Sequence, residues 1–482
     1  QIKIQSSFKD GKRDGEYLQW YENGILEKKI NFKEDKKDGI LAQWYENGQP
    51  NMEGFYVLDQ PHKSHRQWHE NGNLQAIIDY ENGKRNGSHK EYDETSSLIL
   101  SARYVDDLLE GDFLSFYSKD HLREKLFFKN GKKEGRATWY YENLQVSKEA
   151  TFKDDKLVSE MKSYFEDGSL HFVKIFDNGN PVGDHVEYFP KDICQDYESC
   201  IAKLFKFDTD GKMHGLQQTF YPDGSKEALI NYLHGDFHEN KELYDKDGAL
   251  LEKASYANGN LEGEYFQKMP GGQEQLFTYK NNRKTGPYKM YFAPNKEGKK
   301  ILATDGTYIN DKLDGLVNEY HENGNRAVCY NYVDGHLNGT SFVYSPKGDL
   351  FIKTEYKNDV KNGPSIWLFP NGNIYKIVTF VAGLKQGEEK VFHKNDQIAA
   401  MNYYKDDRLE GKCEHFNEKG KIVFLGEYKE GKRHGKINKY YDDGSICLEQ
   451  NYKNDKLQGQ KKKYEKDGNV TISNYDNGVC VD

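Results

Sequence analysis

Hydrophobic and polar residues alternate along the chain in short runs separated by glycine-containing turns. Within residues 74–80, the hydrophobic residues Leu74, Ala76, Ile78 and Tyr80 occupy every second position. A period of two is typical of a strand with one buried face. Asn-Gly and Asp-Gly pairs between such runs favour hairpin turns of type I′, because that turn needs positive φ at both central residues. The pattern therefore predicts a series of β-hairpins.

The hairpins recur with a period of 24 residues, interrupted at a few places. Nineteen anchor positions follow from this period, and glycine occupies 16 of them. The anchors are Gly15, Gly39, Lys63, Gly87, Gly111, Gly135, Ser159, Gly183, Gly215, Glu239, Gly263, Gly286, Gly315, Gly339, Gly363, Gly387, Gly411, Gly435 and Gly459. An internal repeat of this length indicates a solenoid or array rather than a globular core.

An aromatic residue follows most anchors by five positions. A single hairpin cannot bury such rings alone, so neighbouring units must stack. We expect the repeat core to include Trp20, Trp44, Trp68, Tyr92, Phe116, Tyr140, Tyr320 and Tyr440. The predicted fold is all-β: an elongated, twisted antiparallel sheet of about nineteen 24-residue β-hairpin repeats, which is an open solenoid.

Two interruptions of the period divide this continuous solenoid into three blocks. Block one, residues 1–189, holds a half unit and eight full units, and an interruption at 190–206 follows it. Block two spans 207–290, the second interruption spans 291–306, and block three spans 307–482. Insertions in a solenoid map to loops on one face and are often used for binding, although a functionless insertion is the alternative. The candidate contact residues are Lys191, Asp192, Asp196 and Tyr197 in the first interruption and Pro294, Lys296 and Glu297 in the second.

Composition and charge narrow the class of protein. Hydrophobic residues make up only 36% of the 482 residues, but 36 Tyr, 26 Phe and 5 Trp argue against disorder. A net charge of -9 gives no basis for binding nucleic acid or anionic lipid. No hydrophobic stretch reaches the length of a transmembrane helix, so we expect membrane association only through partners.

Cys194 and Cys200 are the cysteines with an informative spacing. They lie six residues apart, which suits a disulfide that closes a local loop in an exported protein, whereas two unrelated free thiols are the alternative. The chain starts at Gln1 without a Met or an apolar leader. We therefore expect an extracytoplasmic location (periplasmic, outer-membrane-associated or secreted) after signal-peptide removal, with a cytoplasmic location as the alternative.

The chain lacks the short motifs that carry catalysis or bind a cofactor. No two glycines are separated by a single residue, so a G-x-G-x-x-G loop is excluded, and no phosphate-binding or metalloprotease motif occurs. The pairs His62/His65 and His234/His238 fall in predicted turns, where solvent-exposed polar residues are ordinary. Residues 208–211 (Asp-Thr-Asp-Gly) lack the full oxygen series of a calcium loop. We expect no catalytic residues, no metal and no cofactor.

From Gly15 to Gly39 the chain follows the pattern Gly-x4-aromatic-Tyr-Glu-Asn-Gly-x-Leu-x5-aromatic-Lys-x-Gly-Lys-x-x-Gly, except that Asp35 stands at the position of the glycine before the second Lys. This pattern resembles the second variant of the MORN repeat. The resemblance implies an elongated antiparallel sheet and a scaffold role, and many bacterial members carry an antitoxin label. Four departures put local turn geometry in question: Lys63, Ser159 and Glu239 replace anchor glycines, and Leu144 replaces a turn glycine.

Together these features predict a non-enzymatic repeat scaffold for protein–protein interactions. We expect it to be a subunit of a large extracytoplasmic or envelope-associated complex. A carbohydrate-binding protein and an antitoxin or immunity-type binding protein are the alternatives. The first requires tryptophan rings exposed on the face opposite the hydrophobic stripe, and the second a cognate toxin.

Overall fold

A computed structural model of the protein describes residues 3–194 and 200–481. These residues form β-strands joined by turns, with one 3₁₀ helix at Lys191–Ile193 and no α-helix within the described ranges. Contacts between residues divide the chain into two compact units, Gln1–Ala249 and Leu250–Asp482. Asp196 and Tyr197, two of the candidate contact residues, lie outside the described residues.

The first unit contains strands β1 to β23. They are β1 Ile4–Lys9, β2 Lys12–Trp20, β3 Leu26–Lys33, β4 Lys36–Trp44, β5 Pro50–Val57, β6 Gln60–Trp68, β7 Leu74–Glu81, β8 Lys84–Tyr92, β9 Leu98–Val105, β10 Leu108–Leu109, β11 Gly111–Ser118, β12 His121–Lys129, β13 Lys132–Lys133, β14 Gly135–Tyr140, β15 Val146–Lys153, β16 Lys156–Tyr164, β17 Leu170–Asp177, β18 Asn180–Pro181, β19 Gly183–Tyr188, β20 Ile201–Phe207, β21 Gly215–Phe220, β22 Lys226–Leu233 and β23 Asp236–Tyr244.

The second unit contains strands β24 to β48. They are β24 Leu250–Ala257, β25 Asn260–Lys268, β26 Glu274–Lys280, β27 Arg283–Lys284, β28 Gly286–Tyr291, β29 Leu302–Ile309, β30 Lys312–Leu313, β31 Gly315–Tyr320, β32 Arg326–Val333, β33 His336–Leu337, β34 Gly339–Tyr344, β35 Leu350–Lys357, β36 Val360–Leu368, β37 Ile374–Val381, β38 Leu384–Phe392, β39 Ile398–Lys405, β40 Arg408–Leu409, β41 Gly411–Phe416, β42 Ile422–Lys429, β43 Lys432–Tyr440, β44 Ile446–Lys453, β45 Lys456–Leu457, β46 Gly459–Tyr464, β47 Val470–Asp476 and β48 Val479–Cys480.

Within each unit, each long strand pairs antiparallel with the strands that precede and follow it in the chain. Thus β2 pairs with β1 and β3, and β4 pairs with β3 and β5. Two-residue strands such as β10 are the first part of a strand that resumes at the next anchor glycine. Within each unit, the pairings of the described residues do not close the sheet on itself. The predicted all-β fold of repeated hairpins in an open solenoid is confirmed.

The two turns of each repeat have different geometries. In the turn Tyr21–Ile25, the Gly24 N–H donates to the Tyr21 carbonyl (3.0 Å) and the Tyr21 N–H to the Ile25 carbonyl (2.8 Å), with positive φ at Gly24 alone. This is a three-residue loop that ends in a glycine bulge. In the turn between repeats, Glu34 and Asp35 both have positive φ (51° and 68°), as type I′ requires. The prediction of type I′ was therefore wrong for the Asn-Gly and Asp-Gly pairs nine residues after the anchor, such as Asn23-Gly24, but it is confirmed for pairs in the turns between repeats, such as Asn82-Gly83 (49° and 86°).

The residues that replace glycine in some repeats adopt the left-handed backbone conformation that glycine has in the others. Lys63, Ser159 and Glu239 have φ of 65°, 66° and 55°, and Leu144, in the three-residue loop, has φ of 69°. Left-handed backbone costs a side-chain-bearing residue roughly 1–2 kcal/mol. Pairing on both sides of each strand therefore imposes the repeat geometry even where the residue disfavours it.

The core is a thin layer on one face of the sheet. Its most buried residues lie two positions after the anchor and on the partner strand, as with Leu41 and Ile30, which pack together with Phe32. His65 occupies this position too and is only 8% exposed. The prediction that His65 is a solvent-exposed turn residue was therefore wrong, because its position in the repeat is a core position.

Candidate interaction surface

The Tyr-Glu-Asn-Gly turns are joined to one another along the chain by a ladder of hydrogen bonds. The Tyr21 hydroxyl donates to the Trp44 carbonyl at 2.8 Å, and the Asn23 side-chain amide to the Glu46 carbonyl at 2.9 Å. The hydroxyl bond recurs from Tyr45 to Trp68, Tyr117 to Tyr140, Tyr141 to Tyr164, Tyr221 to Tyr244 and Tyr441 to Tyr464. The signature residues thus fasten each repeat to the next.

A second ladder joins the two-residue turns. The Asp35 carboxylate accepts the Arg13 backbone N–H at 2.8 Å, and this hydrogen bond is the main cause that lowers the pKa of Asp35. The same bond recurs from Lys37 to Asp59, Arg85 to Asp107, Lys133 to Asp155, Lys284 to Asp311, Leu337 to Asp359, Lys385 to Asp407 and Arg433 to Asp455. The Arg13 guanidinium also lies 4.1 Å from the centre of the Phe32 ring. Both turns of a regular repeat are therefore occupied by contacts within the chain.

The predicted core aromatics at five positions after the anchor are half-buried. This applies to Trp20, Trp44, Trp68, Tyr92, Phe116, Tyr140, Tyr320 and Tyr440. Trp20 is an odd number of residues from the core residue Tyr17 on the same strand, so the pleat places it on the opposite face, where it pairs with Leu26. The fold thus carries rings on the face away from its core.

The first interruption enlarges the three-residue loop of its repeat. Phe189–Cys200 stands between Tyr188 and Ile201, and the Phe189 N–H donates to the Cys200 carbonyl at 2.8 Å, as Tyr21 does to Ile25 in a regular turn. The structure joins Cys194 and Cys200 by a disulfide, with their Cα atoms 5.7 Å apart. Lys191 and Asp192 are exposed on the 3₁₀ helix beyond this bond.

The second interruption enlarges the same loop of another repeat. The Phe292 N–H donates to the Ile301 carbonyl at 2.9 Å, and residues 293–300 are exposed beyond it. This segment contains Pro294, Lys296 and Glu297, and the Glu297 N–H donates to the Asn295 side chain at 3.0 Å. Both groups of candidate contact residues thus occupy the same position of the repeat, one in each unit.

Sequence reasoning missed one cluster of side chains. The ligand atoms of Asp208, His214 and His234 all lie within 4.8 Å of one another. From the sequence, residues 208–211 lacked the ligand series of a calcium loop, and His234 was expected in a solvent-exposed turn. The available signal was the one extra residue between Phe207 and Gly215, compared with Phe32 to Gly39 in a regular repeat.

Comparison with known families identifies the repeat. Nine segments match the MORN repeat variant: residues 13–34, 37–57, 61–82, 133–154, 213–234, 313–334, 385–406, 409–430 and 433–454. The chain is a MORN-variant repeat protein, and the resemblance seen in the sequence is confirmed. It has the fold of a repeat scaffold. No helix among the described residues has the length and hydrophobicity to cross a membrane.

Comparisons with whole proteins add little. No curated protein matches the chain. The crystal structure of TcdB2-TccC3-Cdc42 aligns with 96% of this chain and 25% of its own at 11% identity and a TM-score of 0.13. The crystal structure of TcdB2-TccC3 aligns with 97% of this chain and 29% of its own at 11% identity and a TM-score of 0.13. The chain spans less than a third of the length of either, and TM-scores this low support no conclusion about fold or function.

Proposed function

We propose that this protein is a non-enzymatic scaffold that binds protein partners through the two enlarged turns of its repeat array. The observation that carries the proposal is the contrast between turn types. In regular turns such as Tyr21–Ile25, the side chains fasten the next repeat. In the enlarged turns, Asp192 and residues 293–300 are exposed beyond the bond that closes the loop.

The chemistry of the enlarged turns suits a protein partner. Ile193 is 49% exposed beside charged residues of both signs, Lys191 and Asp192. Lys296 and Glu297 repeat the mixed charge in the second turn. A mixture of exposed hydrophobic and oppositely charged side chains is typical of transient protein interfaces.

Photo-crosslinking tests the proposal in the native cells. A photoreactive amino acid is placed at Asp192 or at Glu297 of the tagged full-length chain, and matched controls carry it at the exposed regular-turn positions Glu46 and Lys419. We expect a partner protein to crosslink to the photoreactive residue in at least one enlarged turn. We expect that protein not to crosslink to either control position. Equal crosslinking from control and enlarged turns, or no crosslinked protein from any position, contradicts the proposal.

We further propose that the partner complex is extracytoplasmic or associated with the cell envelope. Support comes from the Cys194–Cys200 pair, since disulfides persist in oxidising compartments. Alkylation of free thiols in acid-quenched cells tests this, with the buried Cys329 as an internal reference after denaturation. We expect Cys194 and Cys200 to resist alkylation until they are reduced. We also expect the protein to be found in the envelope fraction. Ready alkylation of both in quenched cells favours the cytoplasmic alternative.

Glycan binding is the second candidate function. The observation in its favour is that Trp20, Trp44 and Trp68 are half-buried on the face opposite the core. Trp139 and Trp367 are already engaged within the fold, lying 4.7 and 5.1 Å from lysine ammonium groups. Binding of a polysaccharide that quenches tryptophan fluorescence in the wild type, but not after Trp20, Trp44 and Trp68 are all replaced by Ala, would favour this function. Unchanged fluorescence with all polysaccharides tested would remove it.

A further inference from the structure

The inter-repeat turn at residues 208–212 departs from the type I′ turns of the other repeats. The Asp208 N–H donates to the Lys212 carbonyl at 2.9 Å, so three residues rather than two are looped out. The Asp208 Oδ1 accepts the backbone N–H groups of Asp210 (3.0 Å) and Lys212 (2.9 Å). Its other oxygen, Oδ2, lies 2.8 Å from Nδ1 of His234, which belongs to the next inter-repeat turn. Two neighbouring turns thus meet through a carboxylate and an imidazole.

His214 occupies a repeat position that normally has a defined task. The residue before the anchor accepts the first backbone N–H of the next inter-repeat turn, as Glu110 Oε2 does from Asn130 at 2.7 Å and Glu410 Oε2 does from Glu430 at 2.7 Å. At His214 the Nδ1 atom is instead buried without a hydrogen-bond partner among the described residues. A buried ring nitrogen without a hydrogen-bond partner lowers the stability of the folded state, and no contact among the described residues compensates for this loss at His214 Nδ1.

The two imidazoles and the carboxylate are close enough to share an ion. The His214 and His234 ring centres are 5.0 Å apart, and the three ligand atoms lie within 4.8 Å of one another. Tetrahedral zinc with Zn–N bonds of about 2.0–2.1 Å holds its donors roughly 3.3 Å apart. Rotation of the three side chains can bring their donor atoms from the observed separation to the distance that zinc requires.

We infer that Asp208, His214 and His234 form a binding site for a divalent transition-metal ion of the zinc class. Two imidazole nitrogens and one carboxylate oxygen suit such ions, whereas calcium and magnesium prefer all-oxygen sites. The ion replaces the hydrogen bond between His234 Nδ1 and Asp208 Oδ2 and gives the His214 Nδ1 atom a partner. Three protein donors leave one position for water or for a donor from a partner protein.

The site fastens a repeat that is irregular at both ends. Strand β20 runs from the Cys194–Cys200 loop at one end to Asp208 at the other. The Asp ladder is missing here, because Gly235 stands where Asp35 stands in a regular turn. The metal ion thus joins turns that this ladder joins elsewhere.

Zinc titration of the full-length, tag-free and chelator-treated chain tests the inference. The variants are His214→Gln, His234→Gln and Asp208→Asn. The matched control is His434→Gln, since His434 holds the same repeat position as His214 but its Nδ1 contacts Asn454 (3.2 Å) instead of a second histidine. We expect one Zn²⁺ per wild-type and His434→Gln chain, and affinity lower by about tenfold or more in the three site variants.

Circular dichroism in chelator shows whether each variant is folded. Should a site variant not fold, the absorption spectrum of wild type with Co²⁺ decides instead: visible bands without thiolate-to-cobalt charge transfer support nitrogen and oxygen ligands. Absence of wild-type Zn²⁺ binding at micromolar concentrations, unchanged affinity in folded site variants, or a thiolate spectrum would overturn the inference.

Discussion

The side chains of the repeat signature act mainly between repeats. Tyr21 and Asn23 reach carbonyl groups of the following repeat, and Asp35 accepts a backbone N–H of the preceding one. Each bond is worth only about 0.5–1.5 kcal/mol in isolation. Because it recurs at successive junctions, the signature specifies how repeats stack more than how one hairpin forms.

Tyr45→Phe removes one rung of this ladder. The Tyr45 hydroxyl donates to the Trp68 carbonyl at 2.8 Å, so its loss should lower the local opening free energy by about 0.5–1.5 kcal/mol. Hydrogen–deuterium exchange of peptides covering residues 45–70 measures this. Tyr375→Phe is the control, because the Tyr375 hydroxyl has no hydrogen bond among the described residues and should show no comparable change. Equal effects in both variants would contradict a ladder role.

His65 makes its repeat sensitive to acid. Its ring is buried between Tyr56 and Tyr80, and burial lowers the pKa of His65 below its usual value near 6.5. The unfolded chain then binds the proton more tightly than the folded one, so stability is complete above pH of about 6.5 and falls as the pH drops below it. Exchange at pH 7.5 and 5.5, corrected for intrinsic rates, should show the loss in wild type. The variant His65→Phe places at this position the residue found at the equivalent position 113. It should lose less stability between pH 7.5 and 5.5 than the wild type.

At the scale of strands and turns, period-two alternation together with the Asn-Gly and Asp-Gly pairs predicted the hairpins, and the 24-residue spacing of the anchors predicted their repeat. It did not reveal which turn is type I′, since residues as different as Leu58 and Ala382 take positive φ there (48° and 49°). Their conformation is imposed by pairing on either side of the turn rather than by their own preference. Sequence preference therefore located the turns but could not assign their geometry.

Glu389 shows how a strand can bury a charge in the thin core. Its carboxylate, 5% exposed, lies 2.9 Å from the Lys376 ammonium and 3.2 Å from the Lys385 ammonium. Burial raises the pKa of Glu389, but hydrogen bonds and charge from both lysines outweigh it and leave the pKa lowered. Glu389→Gln should therefore destabilise its repeat by about 1–3 kcal/mol at pH 7, measured by exchange in strands β37–β39. The wild-type contribution should be lost as the pH falls below about 4.5.

Glu388 is the matched control for this prediction. It is the adjacent residue on the opposite face and pairs with Lys390 at 2.7 Å, with 34% of its side chain exposed. Solvent screening limits such a pair to about 0–1 kcal/mol. A Glu388→Gln effect as large as that of Glu389→Gln would show that burial is not the source of the difference.

At the scale of the whole molecule, stability should depend on neighbours rather than on a common core. Val378 is fully buried between adjacent strands, and Val378→Ala should cost about 1–3 kcal/mol in its own repeat. In a repeat array this loss spreads to adjoining repeats and decays along the chain. Hydrogen–deuterium exchange of peptides from the second unit should show the largest loss of protection in the repeat that contains Val378 and smaller losses in the repeats beside it. A uniform loss across all described peptides of that unit would contradict the nearest-neighbour description.

The candidate sites divide into those the sequence located and one it did not. The interruptions were visible as breaks in the 24-residue period, because an insertion changes spacing whatever its structure. The cluster of Asp208, His214 and His234 was missed, because one extra residue in the spacing marks an irregular turn, whereas only the stacking of repeats brings together members from two turns. Spacing along a chain reports insertions, whereas contacts between neighbouring repeats depend on register.

The closing hydrogen bond of the three-residue loop has a consequence for tolerance to insertion. That bond is kept whether the loop is short, as in Tyr21–Ile25, or long, as in Phe189–Cys200. Extending a loop from three to ten residues costs only about 1 kcal/mol of closure entropy. The turn between repeats has less of this freedom, because its length among the described residues varies only from two residues to the three of the turn at 208–212, and the Asp ladder fixes many of these turns. Foreign peptides grafted into the Tyr-Glu-Asn-Gly turns should therefore be displayed without unfolding the array, and grafts into the two-residue turns should not.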